Sequence, residues 1–421
     1  MKTVELYGFY KKSLGISIDS RSIQPENLFF ALKGPNFDGH KYIDSAFENG
    51  AKYAVIDDPK YKDNPNTLLV KNVEVALQNL ARFHRSMISI PVIGITGSNG
   101  KTTTKELLAS VLETQYSVFA TKGNFNNHLG VPLCVLSIVD THEIAIIEMG
   151  ANHVGEIKFL SEIAMPNIGI ITNIGKAHLE GFGSLEGVRI GKTELYDYLD
   201  KVNGTIMYNK DDKLLINSLP SHTQNIGYTI SSVDKIADYP FLQYQFKNIK
   251  IKSNLSGNYN LINMISTLSL GEYFNISVSD IKKGIENYIP ENNRSQVKKT
   301  NNNTLILDAY NANPSSMEES IKNFYCHPGD KKTLILGHML ELGNSAKEEH
   351  KKLVEFISSF EWNQVFLVGS EFKKIEIPSP IKVFSDYQSL CKTLKLYTLQ
   401  NNLILLKGSR GVALENCIEF L

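Results

Sequence analysis

The chain has 421 residues, enough for two or three domains of ordinary size. Hydrophobic residues at 42% and charged residues at 21% exclude wholesale disorder. With 44 basic against 44 acidic residues there is no long-range field for nucleic acid, so any anionic ligand must be held by a few placed cations.

The first twenty residues carry Glu5, Lys11 and Lys12 where a signal peptide needs an unbroken apolar core. No later run reaches the roughly 20 apolar residues of a membrane span, so a cytoplasmic location without membrane insertion is expected. The four cysteines, Cys134, Cys326, Cys391 and Cys417, form no CxxC pair and read as small buried residues.

Residues 1–88 alternate short apolar runs (Leu28 to Leu32, Tyr53 to Ile56, Thr67 to Val70) with polar turns, then repeat apolar residues at helical spacing from Val73 to Met87. This predicts a small α/β domain. From residue 89, strand-like PVIGIT, SVFAT, EIAIIEMG, NIGIITNI and GTIMYN alternate with helical stretches, which predicts a mostly parallel sheet covered by helices. A meander of short strands is expected between about 221 and 255, followed by an amphipathic helix entered through Gly257 and Asn258. The polar stretch PENNRSQVKKTNNN places a boundary near residue 290, with Asn301 to Asn303 as a solvated turn. Beyond it, TLILDAY, TLILGHM, QVFLVGS, IKVFSD and NLILLKG predict a second doubly wound sheet over 291–421. The expected fold is therefore α/β in three domains, 1–88, 89–290 and 291–421.

The strongest chemical signal is PVIGITGSNGKTTTKELLASVL, an apolar strand, a glycine-rich turn and a helix. Gly97, Ser98, Asn99, Gly100, Lys101, Thr102 and Thr103 would wrap a nucleotide's phosphates, with Lys101 as the cation and the Thr102 hydroxyl offered to Mg2+. The spacing departs from the strict phosphate-loop pattern, because position 95 is Ile95 and the glycines fall at 94, 97 and 100. Glu148 ends a buried strand where α/β sites lie and is a candidate metal ligand; His178 follows the next strand, and Lys192 falls on a predicted helix. Taken alone, His178 reads more readily as a structural residue and Lys192 as a solvated helical lysine.

GITGSNGKTTTKE, GNFNNHLGVPL, EMGANHVGEI, NIGKAHLEGFGS and GKTEL resemble the ATP-dependent Mur ligases, which build the peptidoglycan stem peptide. DSRSIQPENLFFALKGPNFDGHKYI, LDAYNANPSSM, LGHMLELG and LLKGSRGVALE look most like the family member that joins D-alanyl-D-alanine to UDP-MurNAc-tripeptide. The resemblance implies a UDP-sugar domain, a central ATP-binding domain and a C-terminal Rossmann-like domain in a monomer. It implies an acyl-phosphate intermediate made from ATP, with two Mg2+ ions held by Thr102, Glu148, His178 and a carbamylated Lys192. It places Asn260 on adenine, Arg294 near the phosphates and Asp308 on the ribose. Asp19, Ser20, Arg21, Asn36, Asp38 and His40 match positions near the UDP-sugar. His338 and His128 depart from the family pattern, which usually has acidic residues there. The competing readings are a ligase adding a different amino acid, of the diamino-acid-adding or folylpolyglutamate type, and a nucleotide-binding protein without turnover.

Overall fold

The computed structural model describes residues 1–421 except 222, 292, 397 and 398. Three α/β units follow one another along the chain. In the first, β1 (Gly15–Ser17), β2 (Asn27–Phe30), β5 (Tyr53–Ile56) and β6 (Thr67–Leu69) form a parallel sheet in that order. A small antiparallel pair, β3 (Lys33–Gly34) and β4 (Phe37–Asp38), projects from it. The helix Val73–Ser86 then fastens this unit to the next: the buried Arg85 guanidinium donates to the carbonyls of Ile88, Ala164 and Met165 at 2.7 to 2.9 Å. Tyr10 adds a hydroxyl bond to Leu136 O at 2.7 Å.

The central sheet contains β7 (Val92–Thr96), β8 (Val118–Ala120), β9 (Ile144–Glu148), β10 (Ile168–Ile171), β11 (Thr205–Asn209) and β12 (Gln224–Tyr228), all parallel in the order β12-β11-β10-β7-β9-β8. The central strands β7, β9 and β10 are buried on both faces, which is why they read as unbroken apolar runs. Chain order reverses around β7, so the loops after β7, β9 and β10 open into one crevice at the C-terminal edge. Strands β13 (Asp234–Ala237), β14 (Gln243–Phe246) and β15 (Ile249–Lys252) form the antiparallel meander.

The helix after the meander, Leu261–Tyr273, differs from the amphipathic expectation. It is buried on nearly every side, including Asn263, Ser266 and Thr267, because it lies between the phosphate-loop helix Lys101–Leu112, the helix Val278–Asn287 and the sheet. Ser266 and Thr267 make this tolerable by donating to Asn263 O at 2.8 and 3.0 Å.

The third unit has the order β16-β17-β21-β18-β19-β20, with β16 (Gln296–Lys299) antiparallel to β17 (Thr304–Asp308) and the rest parallel: β18 (Lys332–Gly337), β19 (Gln364–Val368), β20 (Lys382–Phe384) and β21 (Leu403–Lys407). Asn301 and Asn302 are exposed as expected, but Asn303 is buried: its amide donates to Leu399 O at 2.9 Å and to the Leu421 carbonyl at 2.8 Å. Cys134, Cys391 and Cys417 are buried, whereas Cys326 is exposed at the end of its helix. None of the helices among the described residues is long and apolar enough to cross a membrane.

Candidate active site

The turn after β7 needs glycine at two points. Gly97 has φ 141° and a Cβ there would sit 2.0 Å from Thr172 Oγ1; Gly100 has φ 79° and a Cβ would meet Asn263 Oδ1 at 2.6 Å. The turn is braced by the loop after β10. Asn99 N donates to Asn173 Oδ1 at 3.0 Å, Thr172 Oγ1 donates to Asn99 O at 2.5 Å, and Ser98 Oγ donates to Gly175 O at 3.0 Å. Lys101 folds back to donate to Gly97 O at 2.7 Å, so its ammonium sits over the turn's own carbonyls. Burial lowers its pKa from the ordinary lysine value, with Glu148 opposing the shift.

Glu148 is almost fully buried at the end of β9. Its Oε2 accepts from Thr102 Oγ1 at 3.0 Å and its Oε1 from Asn126 Nδ2 at 2.7 Å, with Lys105 Nζ 3.8 Å from Oε2. A glutamate and a threonine hydroxyl in contact at a phosphate loop are hard oxygen donors suited to Mg2+. Asn126 and Lys105 were not singled out from sequence. The GNFNN stretch held the signal for Asn126, and its approach requires Gly150, where a Cβ would lie 2.9 Å from the Asn126 amide.

His178 begins the short helix Leu179–Phe182 with φ 51°, and its Nδ1 lies 2.6 Å from Glu341 Oε2 of the third unit. The contact sets a carboxylate oxygen against a buried ring nitrogen that has no other hydrogen-bond partner among the described residues. Lys192 lies inside the helix Leu185–Lys201 with no solvent exposure. Its Nζ donates to Ala151 O at 3.1 Å and sits 5.1 Å from the Phe182 ring centroid. Burial, reinforced by the Lys101 charge, holds its pKa well below the ordinary value. Among the described residues no three His, Cys, Asp or Glu side chains converge on one point.

The opposite wall comes from the third unit. Asp308 ends β17 and Lys407 ends β21; they are register partners, and Lys407 Nζ pairs with Asp308 Oδ2. The Arg294 guanidinium stacks on Tyr310, 3.6 Å from the ring centroid. Asn260 is buried, and both its amide hydrogens are taken, by Ser256 O at 2.8 Å and Ser295 Oγ at 3.0 Å. Lys407 was missed by sequence reasoning, although a lysine closing the apolar run NLILLKG was the available signal.

A cavity of about 550 Å³ lies between these walls. Ser98 to Thr103, Glu148, His178, Asn260, Arg294, Asp308, Glu341 and Lys407 all line it. Lys192 does not, but Ala151, which accepts its hydrogen bond, does. His128 also lines the cavity; His338 does not and packs against Gly369 instead.

None of the six N-terminal candidates lines this cavity. Asp19 caps its own turn by accepting from Arg21 N at 3.0 Å and pairs with the exposed Arg21 guanidinium at 2.7 Å. Ser20 is buried beneath them, its carbonyl accepting from Asn49 Nδ2 at 2.9 Å. Buried His40 bridges Asp38 Oδ1 at 2.9 Å and Asp57 N at 3.2 Å, and Asn36 is exposed at the tip of the β3–β4 pair.

The Mur ligase family catalytic domain matches residues 13–89, the Mur ligase middle domain 95–271, and the Mur ligase glutamate ligase domain 293–410. The chain belongs to the Mur ligase family. Within the family, it is 35% identical to the UDP-N-acetylmuramoyl-tripeptide--D-alanyl-D-alanine ligase of Bacillus subtilis over 97% of this chain and 93% of that one. It is 31% identical to the Escherichia coli protein of the same name, over 96% and 93%. The crystal structure of MurF from Acinetobacter baumannii superposes with a TM-score of 0.87 at 27% identity, covering 99% and 98%. MurF ligase from Thermotoga maritima in complex with ADP gives 0.85 at 29% identity, covering 98% and 97%. Folylpolyglutamate synthase from the same organism shares the fold alone, at 13% identity and a TM-score of 0.59.

Proposed function

We propose that this Mur ligase joins D-alanyl-D-alanine to UDP-MurNAc-tripeptide with hydrolysis of ATP to ADP and phosphate, yielding UDP-MurNAc-pentapeptide in the cytoplasm. The observation that carries the reading is the near full-length similarity to ligases of that name, at up to 35% identity. The cavity supports it by bringing the phosphate loop of the central unit against Asp308, Arg294 and Lys407 of the third.

A carboxylate is a poor acyl donor because oxide is a poor leaving group. One oxygen of the tripeptide's terminal carboxylate attacks the γ-phosphorus of ATP, and the bond from phosphorus to the ADP oxygen breaks. The dipeptide's amine, its ammonium form having released one proton to solvent, then attacks the acyl carbon; the C–N bond forms, phosphate departs with the C–O electron pair, and the second proton shed by the nitrogen leaves with the phosphate. Two anions must meet in the first step, and Lys101 supplies fixed positive charge beside the transferred group. The backbone N–H groups of Ser98 to Thr103 orient the phosphates.

Thr102 and Glu148 would hold one Mg2+, and His178 with carbamylated Lys192 a second. Bound there, the ions supply charge neutralisation on the phosphoryl oxygens. Full burial of Lys192, which lowers its pKa, favours carbamylation, since the neutral form is the nucleophile toward carbon dioxide. Asp308 would accept from the ribose hydroxyls, Arg294 would face the phosphates, and Asn260 would line the adenine pocket. The Asp19–Arg21 turn and the Asn36, Asp38 and His40 segment would face the UDP-sugar.

The experiment is an amine panel with purified enzyme, ATP and UDP-MurNAc-tripeptide. Product of the pentapeptide mass with D-alanyl-D-alanine, and none with single amino acids, is expected. Product only with a diamino acid or glutamate would overturn the assignment.

A further inference from the structure

His178 and Glu341 belong to different units, and each holds a left-handed backbone conformation that costs a residue with a side chain roughly 1 kcal/mol or more. Their φ values are 51° and 62°. Such conformations persist where the surroundings impose them, and here the imposing contacts run between the two residues' own loops. Glu180 N donates to Glu341 O at 3.1 Å. Gly343 packs so closely that a Cβ there would lie 3.2 Å from Glu180 Cα. The segment 338–343 therefore rests on the turn that carries His178, and the Glu341 carboxylate reaches His178 Nδ1 at 2.6 Å. Both side chains line the cavity that holds the phosphate loop.

We propose that Glu341 is a positioning residue: its carboxylate, delivered by the C-terminal unit, fixes the His178 imidazole through Nδ1 and leaves Nε2 as the ring nitrogen that faces the reaction. This rests on the ligase reading above. The histidine is oriented only while the C-terminal unit is seated on the central sheet, so the contact couples seating of that unit to assembly of the site. A carboxylate that fixes a histidine's tautomer and ring orientation acts through that histidine, and its loss falls on turnover more than on binding.

Two independent measurements test this. In steady-state ligation, Glu341→Gln should lower kcat about 10-fold while the KM for ATP changes less than about twofold. In a His178→Ala background the same substitution should cost less than about twofold, because its target is gone. Unchanged kcat, or an equal loss in both backgrounds, would overturn the proposal. Because Glu341 is half-exposed, the glutamine variant is expected to keep the wild-type melting temperature, and Glu341→Asp provides a second variant with an intermediate kcat. The second measurement is 15N NMR of the histidine ring nitrogens with ADP bound. The wild type should show His178 protonated on Nδ1, and Glu341→Gln should show a mixture of tautomers. Identical His178 nitrogen shifts in the two proteins would overturn the proposal. This second readout decides for Glu341 even if the wild type proves to use another amine.

Discussion

Asn313 Nδ2 donates to Asn99 Oδ1 at 2.7 Å, joining the cap of a C-terminal-unit helix directly to the phosphate loop. Beside it, Lys176 N donates to Ser315 Oγ at 3.0 Å and Lys176 Nζ to the buried Glu349 at 2.9 Å. The start of the helix Pro314–Cys326 is thus fastened to the loops after β7 and β10, which ties the phosphate loop to the third unit.

Asn313→Ser separates this role from helix capping. Asn313 also accepts from Ser316 N at 2.9 Å, and serine is an equally good cap but too short to reach Asn99. Loss of one hydrogen bond worth about 1 kcal/mol should weaken ADP binding by up to roughly fivefold and lower the melting temperature only slightly, because the helix keeps its cap. Calorimetric titration with ADP checks it, and an unchanged affinity would remove Asn99–Asn313 from nucleotide binding.

Lys407 and Asp308 form a largely buried pair, so breaking it from either side strands a charge. Asp308→Asn and Lys407→Met should each destabilise the protein by about 3 kcal/mol, whereas the double variant should recover most of that loss. ADP affinity should stay low in both proteins lacking Asp308 if the carboxylate holds the ribose. Urea unfolding and ADP titration on the same three proteins separate the two roles.

Lys192→Ala should abolish most turnover while sparing ADP binding, because Lys192 lies behind the cavity wall rather than in it. Partial recovery with added acetate or propionate would identify a lost carboxylate-like group. Activity equal to wild type in the alanine variant would exclude a carbamate role.

His327 is buried against Tyr239, 4.7 Å between ring centroids, and desolvation lowers its pKa from 6.5 to about 4. The folded state therefore holds the neutral ring. Protonation favours the unfolded chain, so stability is full above pH 6.5 and is lost as pH falls from 6.5 toward 4. The loss reaches roughly 3 kcal/mol. His327→Gln should lack this part of the acid dependence when unfolding is compared at pH 7 and pH 4.5. Parallel pH profiles for the two proteins would contradict it.

What was legible in the sequence was what is local. The strand, turn and helix around Lys101 lie within about twenty residues, and the strand ends at Glu148 and Asp308 follow from apolar runs that stop. What was not legible depends on contacts between distant segments. Asn313 lies 214 residues from Asn99, and Lys407 lies 99 from Asp308. Glu341 becomes informative only once its loop rests on His178. The buried helix Leu261–Tyr273 read as amphipathic because its Asn, Ser and Thr residues look solvent-facing, whereas they bond within the helix. Asn303 was misplaced for the same reason, its amide serving the Leu399 and Leu421 carbonyls.

The most direct test of the central claim is phosphate release from ATP with UDP-MurNAc-tripeptide, with and without D-alanyl-D-alanine, followed by mass spectrometry of the product. The account predicts release that requires both substrates and a product of the mass of UDP-MurNAc-pentapeptide. Release that proceeds equally without the dipeptide, or no release with any amine, would contradict it.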